Sequence, residues 1–228
     1  ALIYAPGDVD LLMQKGSLHT MSGEYLSSIA CLKKILPMSE DRDEILYQIG
    51  LAYQGLEDFE KAIETYKEAV QFNLNNESVL YELTYCLEIV GALEKSIPYY
   101  KKFIDADPYS EYAWYNMGIV YNKLKKFDKA MDAYEFAIAI DETFSSAHFN
   151  MGNTYMNLEE YDKAIASYLL TLEYEGPSPD LYCHIGASYE KIGQYEIGLR
   201  YYTKASKIDP LYHQAWFGTG TCFALKEN

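Results

Sequence analysis

The sequence has little that would support disulfides, a structural metal or a membrane span. It contains four cysteines in 228 residues, and no two of them stand at C-x-x-C spacing. This argues against a zinc site and a disulfide framework, so we expect reduced thiols and a cytoplasmic location. It has no run of eighteen apolar residues, no signal-peptide pattern and no Ser/Pro/Gly-rich linker. These absences favour a soluble chain without an internal domain boundary.

Basic residues are also scarce. There are 19 Lys plus Arg against 34 Asp plus Glu, which gives a formal net charge of −15 and a pI near 4.6. The lysines come singly or in pairs and form no basic stripe. Nucleic acid and anionic membrane surfaces are therefore excluded as partners, because both would be repelled.

Groups suited to catalysis are few and scattered. The four histidines form no pair on one helix face, and Cys183 and His184 are consecutive, so they point about 100° apart on a helix. Gly218 and Gly220 lack the preceding strand that a phosphate loop requires. Paired carboxylates such as Glu159 and Glu160 lie in expected turns. The sequence predicts no enzyme activity, no cofactor and no metal.

What the sequence does have is a glycine that recurs every 34 residues. One repeat has Thr84 instead, and the other positions are Gly16, Gly50, Gly118, Gly152, Gly186 and Gly220. A glycine inside a helix costs about 1 kcal/mol relative to alanine, so its recurrence needs a steric reason. A period of this length is typical of a solenoid of stacked units, a class that usually binds other proteins.

Each unit reads as two amphipathic helices. Between residues 111 and 124 apolar side chains recur at spacings of three and four, and a second such stripe begins at Phe127. With the glycine counted as the eighth place of a unit, the twentieth place is small and the twenty-fourth is large. The twentieth place holds Ser28, Ala62, Ser96, Ala130, Ala164 and Gly198. The twenty-fourth place holds Leu32, Tyr66, Tyr100, Tyr134, Tyr168 and Tyr202. We expect the small residues to face one another and let two backbones approach closely.

This pattern resembles the tetratricopeptide repeat, W-x2-L-G-x2-Y followed by A-x3-F and P. Trp114, Met117, Gly118, Tyr121, Ala130 and Tyr134 meet it almost fully. The resemblance covers the whole chain and implies an all-α solenoid, an open right-handed superhelix of helix-turn-helix repeats. The repeats are 9–42, 43–76, 77–110, 111–144, 145–178 and 179–212, followed by the first helix of a seventh at 213–228, which acts as a cap. Residues 1–8 read as the tail of a preceding repeat, so we expect a fragment of a longer array.

The resemblance also implies a peptide-binding groove lined by the first helices. Family groove places carried onto this chain give Tyr47, Tyr81, Glu82, Tyr85, Glu88, Tyr115, Asn116, Asn122, Phe149, Asn150, Asn153 and His184. Tyrosine rings and amides suit an extended peptide, since amides both donate and accept hydrogen bonds. The competing interpretation is that these residues are mainly buried between adjacent first helices.

The groove is expected to be acidic. Asp10, Glu44, Glu82, Glu88, Asp180 and Glu190 fall at groove places, against Lys123 and Lys191. Met13, Tyr47, Tyr81 and Tyr115 stand where family co-chaperones have the leading lysine of a carboxylate clamp, so that clamp is absent. We expect a basic and apolar segment of a protein partner. The alternatives are a substrate-recruiting or regulatory part of a larger enzyme or signalling protein, and an array that self-associates weakly through its ends.

The repeat at 77–110 departs most from the pattern. Thr84 replaces glycine, Leu87 replaces tyrosine, Phe103 replaces alanine, and Pro98 is expected inside the second helix. One interpretation is a kink that forms a pocket near Tyr81, Tyr85 and Glu88. The other is core repacking, in which Phe103 refills the volume left by Leu87.

Overall fold

The structure, a computed structural model, describes residues 9–226, and within that range it consists of helices with no strands. The predicted tail at residues 1–8 lies outside the described residues, as do residues 227 and 228. The α-helices are α1 (Val9–Met21), α2 (Tyr25–Ile35), α3 (Arg42–Gly55), α4 (Phe59–Phe72), α5 (Glu77–Ile89), α6 (Ile97–Ala106), α7 (Glu111–Lys123), α8 (Phe127–Ile140), α9 (Ser145–Asn157), α10 (Tyr161–Glu175), α11 (Pro179–Lys191), α12 (Tyr195–Ile208) and α13 (His213–Lys226). The prediction of an all-α repeat fold is confirmed.

The helices belong to two compact units, residues 1–116 and residues 117–228, with the boundary inside α7. In the first unit α1 packs on α2 and α3 on α4, and in the second α9 packs on α10 and α11 on α12. Each unit is a stretch of α-solenoid made of antiparallel helix pairs. How the whole chain divides into six repeats and a cap stays a prediction.

Short polar turns end and restart the helices. Asp58, Asn76 and Ser178 accept a hydrogen bond from the backbone N–H three residues later, at 3.2, 3.2 and 3.1 Å, and so cap α4, α5 and α11. The turn between the helices of a pair has one residue in the left-handed conformation. Glycine occupies it at Gly23, Gly91 and Gly193, but Glu57, Lys125 and Glu159 adopt it as well.

Pro98 lies inside the second helix of its repeat, as expected, but at the start of that helix. The chain there forms a short 3-10 turn at Leu93–Ser96, and α6 begins at Ile97. Pro98 therefore lies in the first turn of α6, where its missing N–H needs no partner inside the helix. Leu87 and Phe103 are both buried in this repeat, in agreement with core repacking.

The recurring glycines make room for a side chain more often than for another backbone. A Cβ at Gly50, Gly118 or Gly152 would lie 2.2–2.5 Å from a ring carbon of the tyrosine sixteen residues later. The expected approach of small residue to small residue occurs at Gly198, where a Cβ would lie 3.0 Å from the carbonyl oxygen of Gly186. The period of 34 thus places a glycine under the large residue of the twenty-fourth place, except in the repeat 77–110, where Thr84 lies beside Tyr100.

Apolar side chains are buried along each unit as a series of clusters. In the first unit Leu32, Ile35, Ile45 and Ile49 form one cluster, against which Leu12 and other half-buried side chains pack. In the second unit one cluster is built around Tyr168 and Ile185 and another around Tyr202 and Ala215. Such a serial core is typical of a repeat array, in which each helix pair packs mainly on its neighbours.

Candidate functional site

In the first unit the predicted site residues differ in their exposure to solvent. Tyr81 and Tyr85 are 57% and 43% exposed, and Ile89, one turn further along α5, is 51% exposed. These three residues are spaced by four and share one face of the helix. Glu82 and Glu88 are half-buried on the same helix. The face combines apolar rings with carboxylates.

Contacts hold this face of α5 in place. The Glu82 carboxylate accepts a hydrogen bond from Gln54 Nε2 at 2.8 Å, and the Phe59 ring lies edge-on to Tyr85 with the ring centres 6.5 Å apart. Tyr85 therefore packs on Phe59 with part of its side chain, while 43% of the residue remains exposed to solvent.

Tyr47, Tyr115 and Asn116 are half-buried. The Tyr47 ring centre lies 6.3 Å from that of Tyr66, which is fully buried. Burial is the main cause of a raised pKa of Tyr47, and the charges of Glu82 and Glu44 add to it. Tyr47 therefore stays a neutral phenol and contributes to packing between α3 and α4.

In the second unit the predicted amides bond within the fold. Asn122 Nδ2 donates to Thr154 Oγ1 at 3.0 Å, and Asn150 Nδ2 donates to the Ser146 carbonyl at 3.0 Å. Asn153 Oδ1 accepts from the Tyr168 hydroxyl at 2.7 Å. These contacts favour a packing role for the three asparagines, the alternative that the sequence left open.

Phe149 and His184 form an aromatic triangle with Tyr168. The ring centres are 5.0 Å apart for Phe149 and His184, 5.6 Å for Phe149 and Tyr168, and 5.3 Å for Tyr168 and His184. Burial lowers the pKa of His184, although Asp180, whose Oδ2 lies 3.6 Å from Nε2, acts in the opposite direction. At neutral pH the imidazole is thus uncharged.

The lowered pKa links His184 to stability. Below the ordinary histidine pKa of about 6.5 the unfolded chain takes up a proton that the folded chain does not. The contribution of neutral His184 to the free energy of unfolding is therefore fully present above that pH. It is lost as the pH falls through the pKa that His184 has in the folded chain. At neutral pH His184 therefore presents an uncharged aromatic ring and not a cation.

Next to this triangle is a pocket that sequence reasoning missed. It has a volume of about 660 Å³ and lies between α11 and α13, with the Tyr202 ring of α12 beside it. Its lining is Cys183, His184, Ala187, Glu190, Lys191, Tyr202, His213, Gln214, Phe217 and Gly218. Of these, the prediction named only His184 as a site residue. The sequence feature that could have indicated the pocket is Gly218, because every earlier repeat has a larger residue at the sixth place.

The thiol in the pocket lining is held in its protonated form. Burial raises the pKa of the Cys183 thiol to about 11, with Asp180 as a second cause, so the nucleophilic thiolate is disfavoured. Within residues 9–226 no group of three or more His, Cys, Asp or Glu side chains is placed to hold a metal ion. No helix between those residues is long and apolar enough to cross a membrane.

Comparisons with known proteins agree with the repeat pattern. One family model described as tetratricopeptide repeat matches residues 44–76 and 111–144, and a second of the same description matches residues 145–175 and 179–210. Together they span more than half of the chain. No curated protein matches it significantly.

Many solved structures are similar. The crystal structure of MamA is 30% identical and covers 70% of this chain and 93% of that one, with a TM-score of 0.60. The crystal structure of PilW, a type IV pilus biogenesis factor, covers 92% of this chain and 97% of that one with a TM-score of 0.73, at 17% identity. Pseudomonas aeruginosa pilF covers 93% and 97% with a TM-score of 0.68, at 16% identity. The last two likenesses concern the fold alone.

Proposed function

The chain belongs to the tetratricopeptide repeat family, whose arrays are protein-interaction scaffolds, and we propose that it binds an extended, basic and apolar segment of a partner protein along its first helices. The observation that supports this most directly is the face of α5. Tyr81 and Tyr85 present exposed rings there, and Glu82 and Glu88 accompany them. Aromatic side chains are frequent binding hot spots, because they offer a large contact area at low entropic cost.

The charge of the partner follows from the charge of the chain. With a formal net charge of −15, the surface attracts basic segments over a distance of about one Debye length, roughly 8–10 Å at physiological salt. Carboxylates beside tyrosine rings suit lysine or arginine side chains, whose apolar stems cover the rings while the charged heads reach the carboxylates. This chemistry selects against acidic segments of the same hydrophobicity.

The test uses two acetylated, amidated octapeptides of equal hydrophobicity, in which leucine alternates with lysine in one and with glutamate in the other. Fluorescence anisotropy should show binding of the lysine peptide and much weaker binding of the glutamate peptide. Changing Tyr81→Ala and Tyr85→Ala together should weaken the lysine peptide at least tenfold, since aromatic hot spots are worth about 2 kcal/mol or more.

The matched control changes two exposed aromatics outside the first helices of the first unit. Tyr109 is 80% exposed and Phe72 is 49% exposed, so Tyr109→Ala with Phe72→Ala removes similar apolar surface elsewhere. It should leave the affinity unchanged. Equal binding of the two peptides, or an equal loss in both double variants, would overturn the proposal.

A further inference from the structure

The lining of the pocket between α11 and α13 includes one repeat place that lacks a side chain. The sixth place of the first helices is Gln14, Gln48, Glu82, Asn116, Asn150 and His184, and then Gly218. A Cβ at Gly218 would lie only 2.2 Å from Cζ of Tyr202. The glycine therefore lets the Tyr202 ring lie directly against α13, in the room that a side chain would otherwise occupy.

The position of Tyr202 differs from that of its counterparts. A Cβ at Gly152 would lie 2.5 Å from the Tyr168 ring, whereas a Cβ at Gly186 would lie 3.1 Å from the Tyr202 ring. Tyr202 is thus further from the glycine of its own repeat and pressed against the glycine of the next helix. The ring is thus packed between Gly186 of α11 and Gly218 of α13.

The walls of the pocket are aromatic and neutral. Phe217 is 79% exposed and stands at the opening. His184 is kept uncharged by burial, and Tyr202 forms the side between the two helices. Flat faces of this kind suit an apolar stem and a planar cation, which is attracted to the electron-rich face of a ring.

A single carboxylate supplies the charge beside these rings. Glu190 Oε2 accepts a hydrogen bond from the Tyr202 hydroxyl at 3.1 Å, which fixes the side chain in the pocket lining. An ionised carboxylate can accept about four hydrogen bonds, so most of its capacity remains. Lys191 also lines the pocket, but it is exposed at the end of α11 and its flexible stem can place the ammonium group in solvent.

The geometry points to a binding site for an arginine side chain, with the guanidinium stacked on the exposed ring of Phe217 and hydrogen-bonded to Glu190, while the buried Tyr202 holds Glu190 in place. The planar fork of arginine matches both a ring face and a carboxylate, which the compact ammonium of lysine does not. A volume of about 660 Å³ also admits the residues that flank the arginine in a bound segment. This assignment rests on the proposed function and names the residue of the partner that the second unit recognises.

The experiment titrates the full chain with N-acetyl-arginine amide and follows backbone amide signals by NMR. We expect saturable shifts of Ala187, Phe217 and Gly218 in the millimolar range, as befits a single side chain. N-acetyl-norleucine amide, which has the stem without the cation, should bind at least fivefold more weakly. Glu190→Gln keeps an acceptor for the Tyr202 hydroxyl and removes the charge, and it should weaken the arginine probe about tenfold.

Two further variants separate the pocket from general effects on the fold. Phe217→Ala removes an exposed wall and should weaken the arginine probe several-fold, whereas Phe223→Ala changes an exposed aromatic of α13 that does not line the pocket and should have no effect. No saturable shift up to about 50 mM, equal binding of norleucine amide, or indifference to Glu190→Gln would each overturn the assignment.

The outcome is independent of the partner-segment test on α5. If the arginine probe fails while the lysine peptide still binds through Tyr81 and Tyr85, the pocket assignment is wrong and the proposed function stands. If the arginine probe binds as expected and the peptides do not, the pocket is a site for arginine and the groove proposal fails.

Discussion

At the scale of single residues, the tyrosines of the twenty-fourth place show how one repeat position acquires different environments. Tyr168 donates its hydroxyl to Asn153 Oδ1 at 2.7 Å. Tyr66 is equally buried, and its hydroxyl has no hydrogen-bond partner among the described residues. The difference follows from the residue fifteen positions earlier, which is Asn153 for Tyr168 but Leu51 for Tyr66. Leucine cannot accept the hydrogen bond.

Tyr66→Phe is therefore expected to leave the free energy of unfolding unchanged or to raise it by up to about 1 kcal/mol, because a buried unpaired hydroxyl is costly. The matched change Tyr168→Phe should lower it by about 1–2 kcal/mol, because Asn153 loses its donor. Urea unfolding of both variants measures the contrast. A clear loss of stability in Tyr66→Phe would show that its hydroxyl has a partner in solution.

His148 stands at a core place that Trp or Tyr fills in other repeats, and the structure buries it. It stands at the fourth place, where Trp114 and Trp216 donate from Nε1 to the carbonyl six residues earlier, at 3.0 and 2.8 Å. His148 Nε2 lies 3.0 Å from the Glu142 carbonyl, also six residues earlier. Since a carbonyl only accepts, Nε2 is the donor in this hydrogen bond. Place and volume were visible in the sequence, but the shared hydrogen bond required the structure.

At the scale of helices, the eighth place decides how closely a helix pair can pack. Gly152→Ala should lower the free energy of unfolding by about 1–3 kcal/mol, because the new methyl group would lie 2.5 Å from the buried Tyr168 ring. Gly220→Ala makes the same change at the same place of α13, where no atom lies within 4 Å of the added carbon. It should raise stability by about 0.5–1 kcal/mol, the difference in helix propensity.

Thermal or urea unfolding of the two variants gives this comparison directly. The substitution and the repeat place are identical, so only the neighbouring ring differs between them. Destabilisation of similar size at both positions would mean that the period of 34 has a cause other than room for the tyrosine.

The turns inside helix pairs offer a second comparison at this scale. Glu159 has a φ of 62°, in the left-handed region that costs a residue with a side chain about 1–2 kcal/mol. Glu159→Gly should therefore stabilise the fold by roughly 1 kcal/mol. Glu175→Gly removes the same charge from the last turn of α10, and there it should destabilise by up to about 1 kcal/mol. Urea unfolding measures both effects. If the two substitutions changed the free energy of unfolding in the same direction, this explanation would be wrong.

The sequence predicted the elements better than their contacts. The period of 34 and the two apolar stripes per unit were enough to predict the helices, because helix formation depends on local spacing and on turn residues. The position of Pro98 in the first turn of its helix was not predicted, because a 3-10 turn and the start of an α-helix have similar local patterns. The close partner of most recurring glycines was also misjudged, since small residues fit a backbone and a ring equally well.

At the scale of the whole molecule, the sequence supported the family and its general role but not the details of the site. Repeat register identified the first-helix positions that are now exposed on α5, and composition indicated an acidic surface. Gly218 marked the place of the pocket beside Tyr202, but its volume could not be predicted, because it depends on how the side chains of α11, α12 and α13 pack. Which groove amides bond within the fold was also beyond sequence reasoning, since Asn122 and Asn153 have partners 32 and 15 residues away.

The excess of carboxylates leads us to expect that salt affects both the stability of the fold and the binding of a basic ligand. A net charge of −15 disfavours the compact state through self-repulsion, and it also favours a basic ligand. Added NaCl shortens the Debye length from about 30 Å at 0.01 M to about 8 Å at 0.15 M and weakens both effects. The urea midpoint should therefore rise over this range, while the affinity for the peptide of alternating leucine and lysine falls several-fold.

The control for binding is a peptide in which serine replaces the lysines, because its affinity has no net electrostatic part and should not fall with NaCl. If the carboxylates of α5 contact the lysine peptide, NaCl should lower its affinity less in the double variant Glu82→Gln, Glu88→Gln. If the midpoint and the affinity moved in the same direction, long-range repulsion would not be the force that connects stability and binding in this protein. An unchanged salt effect in the double variant would instead place the relevant carboxylates outside α5.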